Sequence, residues 1–343
     1  MKKIFTLISM AFVAMSVNAQ TEESYTAVDA DGNIAAEYST VIGTDNIATN
    51  VENGSSVIKF GTTNVEVEAV GSAEPADKEE GGQDITIGSL VNEELHLYEL
   101  VSINSTKPIK WEKKDQGDIN FSYMAGTGVP AVSMLAEEIY TEGEATGKYR
   151  LQYTTFDPAT GGEPQSGLYY KFTTKVDGAL KVGIWANKGN RTTFLVDSET
   201  KMPSVYLVEG YINGQNYTED DVTAGRCTAE QVGKKKFMNN DEIRALGSAD
   251  KPWVIGAGNQ PFWGNVIIDA KAGKTYWLFQ GNSQIGFQGY TFAPGKSKEE
   301  MNIESIKNAA NNANAPRYNL AGQKVSKDFK GVVLQNGKKF VQK

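Results

Sequence analysis

Three observations predict an all-β fold of two facing sheets. Apolar and polar residues alternate in short runs, as in Val65-Glu66-Val67-Glu68-Ala69-Val70. Glycine-centred turns, such as Asp177-Gly178-Ala179, Ala272-Gly273-Lys274 and Gly281-Asn282-Ser283, separate the runs. The stretch 264–294 carries three such runs in succession and is expected to form a β-meander that closes the core, with Val266, Ile268 and Ala270 on one strand, Tyr276 and Leu278 on the next, and Ile285, Phe287, Tyr290 and Phe292 on the last.

Length and composition bound the rest. A chain of 343 residues holds one large β domain with a tail, and 22% charged against 40% hydrophobic residues is the balance of a packed protein. A net charge of -8 argues against a general nucleic-acid binder, whose affinity comes from a basic face.

Residues 1–19, MKKIFTLISMAFVAMSVNA, have the lysines, apolar stretch and small-residue cut site of an export signal. The mature chain is expected to begin near Gln20, without a lipid because no cysteine follows the cut, and to be secreted or held at the cell surface. No later stretch has the apolar length of a membrane span. The single cysteine, Cys227, has no partner within the chain, so the fold rests on core burial; it reads as a small side chain in a loop, with a reactive or intermolecular thiol as the alternative.

The body, residues 20–296, is read in order. Asp29-Ala30-Asp31-Gly32-Asn33 is where calcium is weighed, but an EF-hand's acidic spacing and closing glutamate are missing, and a plain turn needs the same residue types. No other cofactor is indicated. Residues 56–60 and 65–70 make a hairpin across Gly61. The sole histidine, His96, alternates with Leu95 and Leu97 and is expected on a strand surface; it supplies no imidazole cluster for a metal. Residues 135–140 (LAEEIY) fit a short helical turn, residues 240–246 a short helix, and Lys234-Lys235-Lys236 a solvated face.

Tyr170, Phe172, Thr174 and Val176 share a face, and across a three-residue turn at 177–179 Leu180, Val182, Ile184 and Ala186 continue it on a hairpin partner. Trp185 then points the other way with Lys181 and Asn187; a two-residue turn would reverse that. An outward tryptophan beside Asn187 and Arg191 has the parts of a sugar-stacking platform, to which Trp253, Trp263 and Asn282 are candidates to contribute from nearby loops. The competing reading buries Trp185 beneath a loop or the second sheet.

The hairpin at 177–182 together with AKAGKTYWLFQGNSQIGFQGYTF resembles a jelly-roll-like β-sandwich module of secreted Bacteroidetes proteins, often found beside pectate-lyase-like domains. The resemblance implies a jelly-roll-like sandwich, comparable in architecture to carbohydrate-binding modules, without the β-helix coils of a lyase. After a polar tether at 297–314, residues 315–343 resemble the sorting module of type IX secretion, through Tyr318-Asn319-Leu320, Gly322-Gln323-Lys324-Val325 and Asn336-Gly337. That likeness implies the secretion machinery as a partner. In physical terms the tail is a small β-hairpin unit, and docking on the sandwich is its other reading.

Three functions compete. The first is a non-catalytic secreted or surface protein that binds polysaccharide through exposed aromatics. The second is a structural or adhesive surface protein whose aromatics are its core. The third, a polysaccharide-degrading enzyme, ranks last, because acid pairs such as Glu137-Glu138 and Asp220-Asp221 are ordinary in solvated loops.

Overall fold

The computed structural model describes residues 21–26, 51–52, 55–72, 85–103, 110–115, 120–125, 130–187, 192–247, 251–256, 258–281, 283–302, 317–319, 324–326, 329–335 and 338–342. Its strands are β1 (Glu23–Thr26), β2 (Val51–Glu52), β3 (Ser55–Gly61), β4 (Val65–Ser72), β5 (Ile85–Asn92), β6 (Leu97–Ile103), β7 (Lys110–Asp115), β8 (Asn120–Ala125), β9 (Ala131–Thr141), β10 (Glu144–Thr155), β11 (Leu168–Thr174), β12 (Gly178–Ala186), β13 (Thr193–Asp197) and β14 (Leu207–Ile212). They continue with β15 (Phe262–Ala270), β16 (Thr275–Gln280), β17 (Ile285–Pro294), β18 (Arg317–Tyr318), β19 (Lys324–Val325), β20 (Gly331–Gln335) and β21 (Lys338–Gln342).

The protein is all-β, as its alternation predicts. A first sheet has the order β14-β15-β12-β17-β8-β7 with β1 also on β17, and a second has the order β13-β16-β11-β4-β3-β2. Their facing sides make the main core: Val67, Tyr170, Phe172 and Leu278 from the second sheet meet Leu180, Val182, Ile184, Val266, Phe287 and Phe292 from the first. At roughly 25 cal/mol per Å² of apolar surface removed from water, this burial is the main stabilising term in a chain without a disulfide.

The strands expected at 264–294 form, but not as a meander. β15 pairs with β12 and β14, β16 with β11 and β13, and β17 with β12. Each glycine turn therefore carries the chain from one sheet to the other. The turn at 175–177 likewise joins β11 of the second sheet to β12 of the first, and is not a hairpin. Strand parity is the same either way. A hairpin puts two apolar faces side by side, whereas a sheet-crossing arc puts them opposite each other, so alternation cannot separate the two.

Two arcs are tied together at one end of the sandwich. The Asp177 carboxylate accepts hydrogen bonds from the Ala272 N–H at 2.9 Å and from Lys271 Nζ at 2.9 Å. Thr174 accepts the Gly273 N–H at 2.7 Å, and the Gly295 N–H reaches the Asp177 carbonyl at 2.9 Å. Gly178, where β12 starts, has no room for a side chain, since a Cβ would lie 2.6 Å from the Ala293 carbonyl oxygen.

A third sheet, β10-β9-β6-β5, stands beside the sandwich. Residues 135–140 lie within β9 and are not helical: Glu137 pairs across the strands with Arg150 and Gln152 of β10, which a helical turn would forgo. His96 sits in the turn before β6 with φ 50°, stacked on Tyr140 at 4.3 Å, and not on a strand. The hairpin across Gly61 forms as expected between β3 and β4.

The segment between β14 and β15 holds the helices Glu219–Thr223 and Asn240–Leu246. The second has the bounds that the sequence predicts. Asn239 caps it, accepting the Glu242 N–H at 3.0 Å while the Glu242 carboxylate accepts the Asn239 N–H at 3.1 Å. The lysine run at 234–236 is no simple solvated face. Lys236 bonds Asp221 at 3.1 Å and Glu242 at 3.0 Å, and Lys235 Nζ lies 5.3 Å from the centre of the Trp263 ring. The Thr218 N–H, then Arg226 and Lys236, hold the Asp221 carboxyl well below the usual range. Cys227, half-buried beside it, has its thiol pushed up by desolvation.

The tail forms its own sheet, β19-β18-β20-β21, around the buried Val333. β20 and β21 pair antiparallel from Gly331 with Gln342 to Gln335 with Lys338, as the expected hairpin requires; Asn336 and Gly337 lie outside the described residues.

Candidate functional site

Trp185 does point away from the main core, as parity predicts, yet it is not exposed. It stands directly opposite Trp263 on β15, on the outer side of the first sheet, and the two residues are 3% and 1% exposed. Tyr211 of β14 is the next residue in that row, stacked on Trp263 at 6.0 Å, and Phe237 packs edge-on against Tyr211 at 5.2 Å. The segment after β14 thus folds back over the Trp263 end of the row, through Lys235 and Phe237. The reason is burial: two indoles side by side on a sheet are too much apolar surface to leave in water.

The other members of the expected platform do not converge on this row. Asn187, just past β12, donates to Ser283 Oγ at 3.2 Å and steadies the 283–284 loop. Trp253 belongs to the other sheet: it packs against Phe194 at 6.1 Å, on the outer cluster of β13 and β16, and its carbonyl accepts the Thr193 N–H at 2.8 Å. Arg191 and Asn282 lie outside the described residues, as does the Asp29–Asn33 run weighed for calcium. Trp185 and Trp263 therefore offer no open ring face to a sugar.

A cleft of about 370 Å³ opens instead on the outer side of the second sheet. It is built from residues whose neighbours in sequence point into the core. Register aligns Lys59, Glu68, Lys171, Trp277 and Val196 across β3, β4, β11, β16 and β13, and aligns Glu66, Thr173 and Thr275 in the next row. Glu68 lies 3.0 Å from Lys171 Nζ and 3.9 Å from Lys59 Nζ. Glu66 lies 3.3 Å from Lys175, and the Thr173 and Thr275 hydroxyls share a hydrogen bond of 2.7 Å.

Two loops supply the remaining wall. The turn after β13 is closed by the Lys201 N–H on the Asp197 carbonyl at 2.8 Å, with Asp197 also accepting Lys274 at 3.1 Å. Lys201 itself sits at φ 60°, and its carbonyl accepts the Gly162 N–H at 2.8 Å. Gly161 permits that approach, because a Cβ there would stand 2.4 Å from the Lys201 oxygen and φ is 72°. So held, Lys201 Nζ lies 4.5 Å from the centre of the Trp277 ring and 2.6 Å from Glu163. The Trp277 Nε1–H is buried and has no hydrogen-bond partner among the described residues.

Next to this polar half the sheet's outer side is apolar. Val70, Tyr169, Phe194, Phe279 and Phe156 pack there, and Trp277 stands between the halves. Burial pushes the Tyr169 phenol up to about 12, and the charges of Glu163 and Glu68 push it the same way. The cleft therefore presents alternating carboxylates, ammonium groups and hydroxyls beside a buried aromatic cluster. Such a surface can hydrogen-bond a ligand rich in hydroxyls.

Sequence reading missed this site. Its signal is present in Glu66-Val67-Glu68, Lys171-Phe172-Thr173 and Thr275-Tyr276-Trp277, each polar or amphipathic outward and apolar inward. Nothing local says that these three strands are neighbours.

No family model matches the chain, and no curated protein matches it. A weak likeness to the solved structure of the GH31 alpha-xylosidase from Xanthomonas citri has 9% identity and a TM-score of 0.11. It covers 79% of this chain and 30% of the enzyme, and at that score it carries no argument.

Proposed function

We propose that this is a non-catalytic, exported β-sandwich that binds polysaccharide, and that the binding surface is the cleft between Glu68, Trp277 and Lys201. One observation carries the reading: on the second sheet's outer side, acids paired with lysines and three hydroxyl residues line one open concavity, with the buried Trp277 beneath Lys201. Sugar hydroxyls both donate and accept, and this lining offers partners for both. Export rests on the leader at 1–19, and surface delivery on the tail's likeness to a sorting module. Among the described residues no helix is long and apolar enough to cross a membrane.

The test is a glycan array on the full-length mature chain, followed by calorimetry on Lys171→Ala and Thr173→Val. Binding that both substitutions weaken supports the cleft. No glycan binding at millimolar concentration sinks it.

A second reading, a structural or adhesive surface protein, is favoured by two specific observations. Trp185 and Trp263 are buried, and Leu90, Val91, Val101 and Tyr140 leave apolar surface exposed on the third sheet. If the array is blank, this reading stands ahead.

A further inference from the structure

We infer that the cleft takes an uncharged polysaccharide and that Glu68 and Glu163 turn acidic ones away, an inference that rests on the glycan reading above. The lining holds the carboxylates of Glu66, Glu68 and Glu163 against the ammonium groups of Lys171 and Lys201, which leaves it one charge negative; Lys59 and Lys175 reach Glu68 and Glu66 from outside it, with side chains 57% and 54% exposed and their charges largely screened by solvent. Neither ammonium group stands unengaged. Lys171 is 3.0 Å from Glu68, and Lys201 is 2.6 Å from Glu163 with the Trp277 ring on its other side.

A hydroxyl meets such pairs without breaking them. It donates to a carboxylate oxygen while accepting from a remaining ammonium proton, and the pair keeps its charge balance. A uronic acid carboxylate can only accept. Even when it accepts from a remaining ammonium proton, it sets its charge beside Glu68 or Glu163 in a recess partly shielded from water, and it competes with those carboxylates for Lys171 and Lys201. Rejection is thus built into the same groups that hold the lysines in place.

Charge exchange at two positions tests this. Calorimetry on the full mature chain would use cellohexaose, xylohexaose and mannohexaose as neutral probes and hexagalacturonate as the acidic one, at about 20 mM salt, where screening is weak. Wild type is expected to prefer its best neutral probe by roughly tenfold or more. The Glu68→Gln/Glu163→Gln protein turns the lining from one negative to one positive charge, and its affinity ratio should move toward hexagalacturonate by at least roughly tenfold. That gain should shrink as salt rises.

The outcomes separate cleanly. Wild type that binds hexagalacturonate as tightly as any neutral probe overturns the inference and leaves the glycan reading intact. A cooperatively melting double variant with no gain for hexagalacturonate overturns it too. Should the double variant fail to fold, Glu163→Gln alone decides, since that side chain is 48% exposed and its change leaves packing untouched. If none of the four probes binds wild type, the glycan reading itself falls, and this inference with it.

Discussion

The Asp177 carboxylate accepts the Ala272 N–H at 2.9 Å, and this bond joins the arc leaving β11 to the arc leaving β15. The same carboxyl is held below its ordinary range, first by that amide and then by Lys271. Asp177→Ala should lower the melting temperature, while Lys271→Ala, which removes only an exposed ion pair, should leave it nearly unchanged. Because the folded-state carboxyl titrates lower than the unfolded one, its contribution is present above the unfolded value and fades as pH falls through the folded one. Melts of both variants across the acid range would show it; equal losses at neutral pH would refute it.

Trp263→Ala should cost about 3–5 kcal/mol, since it empties a fully buried indole site beside Trp185. Urea unfolding gives the number directly. A variant as stable as wild type would return Trp263 to the surface and reopen the platform that the sequence predicts.

Alkali should destabilise the fold between about pH 10 and 12. Burial pushes the phenols of Tyr169, Tyr206 and Tyr290 each up to about 12. The unfolded chain loses these protons first, so stability is complete below the unfolded value and is lost as pH rises through the folded one, on the order of 2–3 kcal/mol per residue. Tyr206 is the clearest case: its hydroxyl donates to the Thr193 carbonyl at 2.7 Å. Tyr206→Phe, followed by chemical denaturation against pH, should flatten part of that loss; an unchanged profile would place the effect elsewhere.

Asn239→Ala should cost about 1 kcal/mol by removing the cap of the helix Asn240–Leu246. Asn239→Asp, which keeps an acceptor for the Glu242 N–H, should restore most of it. Equal stability of the alanine variant and wild type in urea would show that the cap carries no weight.

Deleting residues 315–343 is expected to leave the sandwich cooperatively folded, because the tail pairs its strands among themselves around Val333. The same deletion should stop the chain reaching the cell surface if the tail is a sorting module. A melt and surface protease accessibility read the two halves separately. Loss of cooperative unfolding would show the tail to be part of the core.

What the sequence determined by itself was local. Alternation placed Leu180, Val182 and Ile184 inward, with Trp185 outward if the turn before them spans three residues, the turn residues marked where strands end, and a short helix was expected at 240–246. Each is fixed within a few residues by side-chain period or capping chemistry. Tertiary structure decided which sheet each strand joins, because parity is identical for a hairpin and for a sheet-crossing arc. It also decided that Tyr211, Lys235 and Phe237 close over Trp263, and that Glu68, Lys171 and Trp277, far apart in the chain, become one row. Those outcomes depend on long-range pairing, whose free energy comes from burying whole faces against each other and leaves no mark in any short stretch of residues.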